Sequence, residues 1–226
     1  MVVSLMNQLS EYTPRLEVPL CGRTWTLDRA ADLETLWEAM VDDDLDDDER
    51  LPYWTELWPS SLVLGEHLFA NKEAIAGKCC LDIGCGLGLT AIIASWLGAD
   101  VIAMDYEFEA LRFARKNAAL NNVPQPVWTL MDWRFPAVRA QSVDLMWGGD
   151  IMYETRFVEP VLTFLDHCLV PGGRAWVAEP NRNVYNEFKA QLDKRGWMSH
   201  KLRTEKTTAI YEQPSKVTVN LWELSR

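Results

Sequence analysis

The stretch LDIGCGLGLT, Leu81–Thr90, decides the fold. The residues before it, KCCLDIG, read as a short buried strand, and LTAIIASWLG after it as a helix stopped by Gly98. Between them Gly84, Gly86 and Gly88 let the backbone turn sharply and come closer to a ligand than any Cβ allows. In open α/β sheets ligands lie beyond the carboxyl ends of the strands, which is where such a loop sits. A dinucleotide-binding loop would read GxGxxG, but here the third glycine is Gly88 and position 89 is Leu. Asp82, two residues before the first glycine, disfavours a pyrophosphate and suits a ligand that carries an ammonium group.

The same alternation extends outward. DVIAMD is a second strand, and Phe108, Leu111, Ala114 and Ala118 give the next helix an apolar stripe. PVWTLMD, SVDLMWGG and RAWVAEP are three further strands. A helix from Tyr153 to Leu169 turns Phe157, Val161, Phe164 and Cys168 inward, and a last helix carries Val184, Phe188 and Leu192. Upstream, Pro59 suits the first turn of a helix whose face is Trp58, Leu62, Gly65 and Phe69. Strands alternating with helices of this length mean a parallel sheet covered on both faces, and the right-handed crossover rule makes it an α/β, Rossmann-like doubly wound fold. The tail, WMSHKLRTEK to KVTVNLWELSR, alternates like a hairpin that closes one edge. Before the core, YTPRLEVPLCGRTWTL reads as two short strands around a Cys-Gly turn, followed by a helix near Asp32 to Met40. Residues 42–49 hold seven acids and one leucine and form an exposed loop. The organisation expected is an N-terminal extension over 1–50 and one catalytic domain over 51–226.

The chain has 226 residues, enough for one sizeable α/β core, and a net charge of −11. That charge argues against a nucleic acid or an anionic membrane as the main partner. The N-terminus has no basic n-region or apolar h-region, and no apolar stretch is long enough to span a bilayer. Five irregularly spaced cysteines without a CxxC pair read as reduced thiols, which places the protein in the cytoplasm. Three histidines, none near a strand end, give no reason to expect a metal. A monomer or weak dimer is expected.

Two more carboxylates follow strand ends in order. Asp105, with Tyr106 beside it, is placed to accept both hydroxyls of a ribose, and Asp132–Trp133 to accept from an adenine amino group and stack on its ring. Asp-x-Gly-x-Gly-x-Gly with these acids is the pattern of S-adenosylmethionine methyltransferases, so that cofactor and its product S-adenosylhomocysteine are expected. From about Leu51 onward the chain resembles the seven-β-strand class I methyltransferases. More narrowly, it is similar to the protein-lysine methyltransferases related to the enzyme that modifies the electron-transfer flavoprotein β-subunit. PYWTELWP resembles that family's Trp-Pro element, GGDIMYE its Asp-x-x-Tyr motif at Asp150 and Tyr153, and AEPNR its acid-Pro-x-Arg turn.

The resemblance implies strand order 3-2-1-4-5-7-6 with strand seven antiparallel. It also implies methyl transfer to a lysine of a protein, with Asp150 holding the acceptor amine. Tyr153 lines the acceptor channel or bonds the cofactor carboxylate, Trp58 faces the methionine end of the cofactor, and Trp54 the acceptor entrance. Trp147-Gly148 stands where two aliphatics are usual and borders the substrate mouth. Plainer roles stand beside these: a helix N-cap for Asp150, core packing for both tryptophans of PYWTELWP, and turn stabilisation for Glu179 and Arg182. A small-molecule N- or O-methyltransferase and a non-catalytic cofactor-binding protein are the competing functions.

Overall fold

The computed structural model describes residues 15–30, 36, 52–208 and 216–226. The acidic run 42–49 and nearly all of the helix expected over 32–40 lie outside these residues; Leu36 alone is described there, helical and buried. Strands β1 (Arg15–Leu20) and β2 (Arg23–Asp28) form an antiparallel hairpin, turned at Cys21 and Gly22 as the sequence predicts. The core alternates α1 (Pro59–Ala70), α2 (Lys72–Ile75), β3 (Cys79–Ile83), α3 (Leu89–Trp96), β4 (Asp100–Asp105), α4 (Phe108–Leu120) and β5 (Val127–Leu130). It continues through β6 (Val143–Gly149), α5 (Val158–Cys168), β7 (Leu169–Glu179), α6 (Val184–Lys194), β8 (Met198–Thr208) and β9 (Lys216–Ser225).

The seven strands of the main sheet run β5-β4-β3-β6-β7-β9-β8, and β9 is antiparallel to both its neighbours. Counting β3 as the first core strand, this is the 3-2-1-4-5-7-6 order. The central parallel strands β3, β4 and β6 are covered on both faces, while the edge strand β5 leaves Val127 and Leu130 exposed, and the core divides accordingly. Helices α1, α3 and α4 and the β1–β2 hairpin enclose one apolar cluster, and α5 and α6 the other.

The helical faces differ in detail from the predicted stripes. In α1 the buried residues are Ser60, Val63, Leu64, Gly65 and Leu68, while Phe69 is exposed and stacks on Trp96. Phe108, at the first turn of α4, is 64% exposed, because a residue at a helix terminus overhangs the sheet edge. The helix expected from Tyr153 begins later: residues 151–154 are irregular, Thr155–Phe157 form a 3-10 turn, and α5 starts at Val158. Asp150 is therefore no helix cap. It directly follows β6 with a left-handed backbone, φ 55°, a region that Asp tolerates better than most residues.

The N-terminal hairpin is fixed to the core by two asparagines one helical turn apart on α4. Asn121 exchanges bonds with the Thr26 amide (3.0 Å) and carbonyl (2.8 Å), and Asn117 does the same with Asp28 (2.8 and 3.1 Å). Their carboxamides act as a neighbouring strand for β2. Asn117 also donates to the Leu87 carbonyl at 3.0 Å, which links the hairpin to the glycine loop. Asn117→Ala strips three buried backbone groups of their partner. It is expected to lower stability by about 2–3 kcal/mol, read as a shifted urea midpoint.

Candidate active site

A cleft of about 870 Å³ opens at the carboxyl ends of β3, β4 and β6. Its floor is the glycine loop. The Cys85 amide donates to the Met104 carbonyl (2.9 Å), so the loop is tied to β4, and Gly88 then starts α3. Gly86 has φ 51°, and its amide donates to Asp105 Oδ2 at 2.8 Å. The other oxygen, Oδ1, accepts from the Glu107 amide at 3.0 Å. Asp105 thus joins both loops while remaining in the lining of the cleft. A Cβ at Gly86 would stand 3.4 Å from the Trp54 carbonyl oxygen, so the tryptophan segment closes directly over the loop.

The sequence sets Asp82 against a ligand's ammonium group; the structure instead buries it beneath the loop, 1% exposed and outside the cleft lining. Its Oδ2 accepts from Thr90 Oγ at 2.6 Å, so it braces α3. Burial pushes Asp82 up to about 7 and Asp105 up to about 6. Between about pH 4 and 7 the folded chain therefore holds protons that unfolded carboxylates release. Their stabilising contribution is complete below about pH 4 and is lost as pH rises through 6 and 7. Stability of the ligand-free chain is expected to fall across that window by up to about 1.4 kcal/mol per pH unit for each proton. Urea titration of Asp82→Asn is expected to give a flatter slope.

Trp147 is a second correction. It is fully buried, pairs in register with Asp82, and belongs to the core under α1, not to the substrate mouth. β6 is a central strand with helices on both faces, so even its last large side chain is enclosed. The indole N–H approaches Asp82 without hydrogen-bond geometry.

The other expected residues line one cleft: Trp54, Trp58, Gly84, Gly86, Gly88, Asp105, Tyr106, Asp132, Trp133, Asp150 and Tyr153. Asp132 accepts from the Arg134 amide and side chain, both at 2.8 Å. Against the desolvation that would raise it, this donation holds the carboxyl below its ordinary value. Trp133 meets Phe157 edge to face at 5.2 Å. Trp54, in the 3-10 turn Tyr53–Thr55, is buried against Phe113 beside the glycine loop. Trp58 caps α1, donates to the Tyr53 carbonyl (2.9 Å) and packs on the Tyr53 ring. Tyr53 in turn packs on Tyr153 at 5.3 Å, and Tyr153 on Phe157 at 4.9 Å. Trp54 therefore sits on the glycine-loop side, and Trp58 reaches Tyr153 through Tyr53.

Asp150 lies at the end of the cleft beside this aromatic wall, 8% exposed. Arg182 grips it with two parallel bonds, Nε to Oδ1 at 2.9 Å and Nη2 to Oδ2 at 3.0 Å. Burial raises the Asp150 carboxyl above its ordinary value, and Arg182 opposes that shift. Burial also pushes the Tyr153 phenol up to about 12, so it is a neutral donor. The sequence reading gave Arg182 only a turn-stabilising role and did not place Tyr53 and Phe157 in this site. No local signal marks Arg182: it reaches Asp150 because β6 and β7 pair in parallel with Gly149 opposite Ala178, so the residues that follow the two strands are neighbours.

These groups fit S-adenosylmethionine. Asp105 offers carboxylate acceptors at the end of β4, Gly84, Gly86 and Gly88 bring loop backbone to the floor, and Trp133 supplies a flat wall.

Comparison with known proteins gives the same direction. Residues 44–194 match the profile of a family described as lysine methyltransferase. The electron transfer flavoprotein beta subunit lysine methyltransferase of Rattus norvegicus is 30% identical over 143 residues, 62% of this chain and 55% of that protein. A histone-arginine methyltransferase of Mus musculus is 30% identical over 118 residues, 50% of this chain and 47% of that protein. The chain thus spans about half the length of these curated relatives. Among solved structures, the T. thermophilus 16S rRNA N2 G1207 methyltransferase, in complex with AdoMet and guanosine, superposes with a TM-score of 0.61 at 15% identity. It covers 95% of this chain and 50% of that one. The ribosomal protein L11 methylase of Lactobacillus delbrueckii gives 0.55 at 18% identity, over 74% of this chain and 76% of that one. These two likenesses concern the fold.

Proposed function

Because the chain belongs to the lysine methyltransferase family, we propose that it methylates the side-chain nitrogen of a lysine in a protein. It is an S-adenosylmethionine-dependent methyltransferase, and the finer reading rests on the acceptor end of the cleft. The observation that carries it is a buried carboxylate, Asp150, at the end of a channel walled by Tyr53, Tyr153 and Phe157. A long aliphatic stem ending in an amine matches that sequence of apolar wall and polar end.

S-adenosylmethionine supplies an electrophilic methyl group on its sulfonium. Asp105 would hold the ribose hydroxyls, Asp132 and Trp133 the adenine, and the Gly84–Gly88 loop the methionine moiety. The chain's own task is to orient the acceptor and keep water out. Asp150 accepts an N–H bond from the amine with the lone pairs that Arg182 leaves free, and so turns the nitrogen lone pair towards the methyl group. An acceptor ammonium must lose a proton first. Solvent takes that proton, and Asp150, already engaged by Arg182, acts as a hydrogen-bond acceptor. Tyr153 and Tyr53 exclude water around the stem, and Trp58 backs Tyr53.

A protein substrate is supported by the names of the matched relatives, one a flavoprotein-subunit lysine methyltransferase and the other a histone-arginine methyltransferase. The second name makes arginine the competing acceptor. The test is to add radiolabelled S-adenosylmethionine and the protein to cell lysate and follow the label. Label in protein is expected; label confined to the small-molecule fraction would instead favour a small-molecule acceptor.

A further inference from the structure

A carboxylate alone at the end of an acceptor channel creates a chemical difficulty. It would stabilise a lysine as ammonium, the form with no lone pair, and raise the pH at which the nucleophile appears. Arg182 changes this balance. Its two bonds to Asp150 are parallel and nearly equal, 2.9 and 3.0 Å, the bidentate geometry that fixes both position and plane of a carboxylate. The pair is close to neutral as a unit, so an entering ammonium meets a cation immediately behind the anion.

The turn that carries Arg182 is itself held. Glu179, 2% exposed, accepts from the Arg182 amide (3.0 Å), Asn220 Nδ2 (2.7 Å) and Trp222 Nε1 (3.2 Å). Asn220 Oδ1 accepts from Thr204 Oγ (2.7 Å) and Lys201 Nζ (3.2 Å) on β8. A continuous set of bonds thus runs from the β8–β9 hairpin to Asp150. The charged and titratable groups around the pair are Glu179 at the end of β7, Tyr53 from the 3-10 turn and Tyr153 from the loop after β6.

We propose that Arg182 is a positioning residue that aims the Asp150 carboxylate, keeps it ionised and cancels its charge, so that the acceptor is received as a neutral amine. This rests on the reading of Asp150 as the amine-holding group. The Glu179–Asn220 pair holds the turn that presents Arg182.

The test follows the Asp150 carboxyl by 13C NMR in the whole protein, labelled at aspartate and saturated with S-adenosylhomocysteine. Arg182→Gln is expected to raise its titration midpoint by about one pH unit or more, and Arg182→Lys to bring it back towards wild type. Arg182→Met serves as the neutral variant should the glutamine form not fold. In parallel, label transferred to lysate protein is measured against pH. The rising limb is expected to move to higher pH by about one unit in the neutral variant and to return with lysine. A merely structural Arg182 would lower the thermal midpoint and leave both pH readouts in place, and that result overturns the proposal. The same holds if the NMR midpoint moves while the rate limb does not. A wild-type protein that labels no protein at all defeats the acceptor reading, whereas the NMR titration still judges the pairing.

Discussion

Asp150→Ala is expected to lower methyl transfer about 100-fold or more while leaving S-adenosylmethionine affinity within about twofold of wild type. The asymmetry follows from where the residue sits. Asp150 is at the β6 end of the cleft beside Tyr153, whereas the groups suited to the cofactor are on the β3, β4 and β5 ends. Removing the carboxylate leaves Arg182 without its partner, but the arginine side chain is 39% exposed and can hydrate. The cost in stability is therefore small, about 1 kcal/mol or less from the pair. Alanine is also less at ease than Asp at φ 55°, so Asp150→Asn is the companion variant. Asparagine tolerates that backbone yet turns an N–H₂ towards the acceptor, and it is expected to be as inactive. Full turnover in both variants would remove Asp150 from the chemistry. Calorimetry with S-adenosylhomocysteine separates this from loss of the cofactor site.

Gly88→Val is expected to abolish measurable cofactor binding and to cost about 3–5 kcal/mol of stability. Gly88 has φ 86°, where L-residues are strained and β-branched ones most of all. A Cβ there would stand 2.8 Å from Ala114 Cβ, 3.2 Å from Ala114 Cα and 3.2 Å from Trp128 Cη2. Ala114 belongs to α4 and is fully buried, so the helix would have to withdraw from the loop. That withdrawal also disturbs Asn117, which holds the β1–β2 hairpin from the same helix. Gly88→Ala meets the same contacts with fewer atoms and is expected to show a smaller loss on both measures. A Gly88→Val protein with a wild-type urea midpoint would mean that α3 and α4 are not packed through this position.

The strands and the glycine loop were legible because apolar runs, glycines and strand-end acids recur at fixed offsets along the sequence. Gly84, Gly86, Gly88, Asp105 and Asp132 are set by local rules, one strand end at a time. What could not be read depends on contacts between distant residues. Asp150 and Arg182 are 32 residues apart and meet only because β6 and β7 are adjacent. Nothing in the local sequence distinguishes Asn117 and Asn121 from other polar helix residues; their role comes from β2 lying beside them. Trp147 could be placed at the mouth only by ignoring that a central strand is enclosed on both faces. The late start of α5 was hidden because Ile151, Met152 and Tyr153 are as acceptable in a helix as in the apolar loop they form.

The identity of the methylated residue tests the central claim most directly. Protein labelled from S-adenosyl-[methyl-³H]methionine is hydrolysed and its amino acids are separated, for the wild type and for Asp150→Asn. Radioactive methyllysine from the wild type and none from the variant is the predicted result. Label in methylarginine, or equal methyllysine from both proteins, would contradict the account.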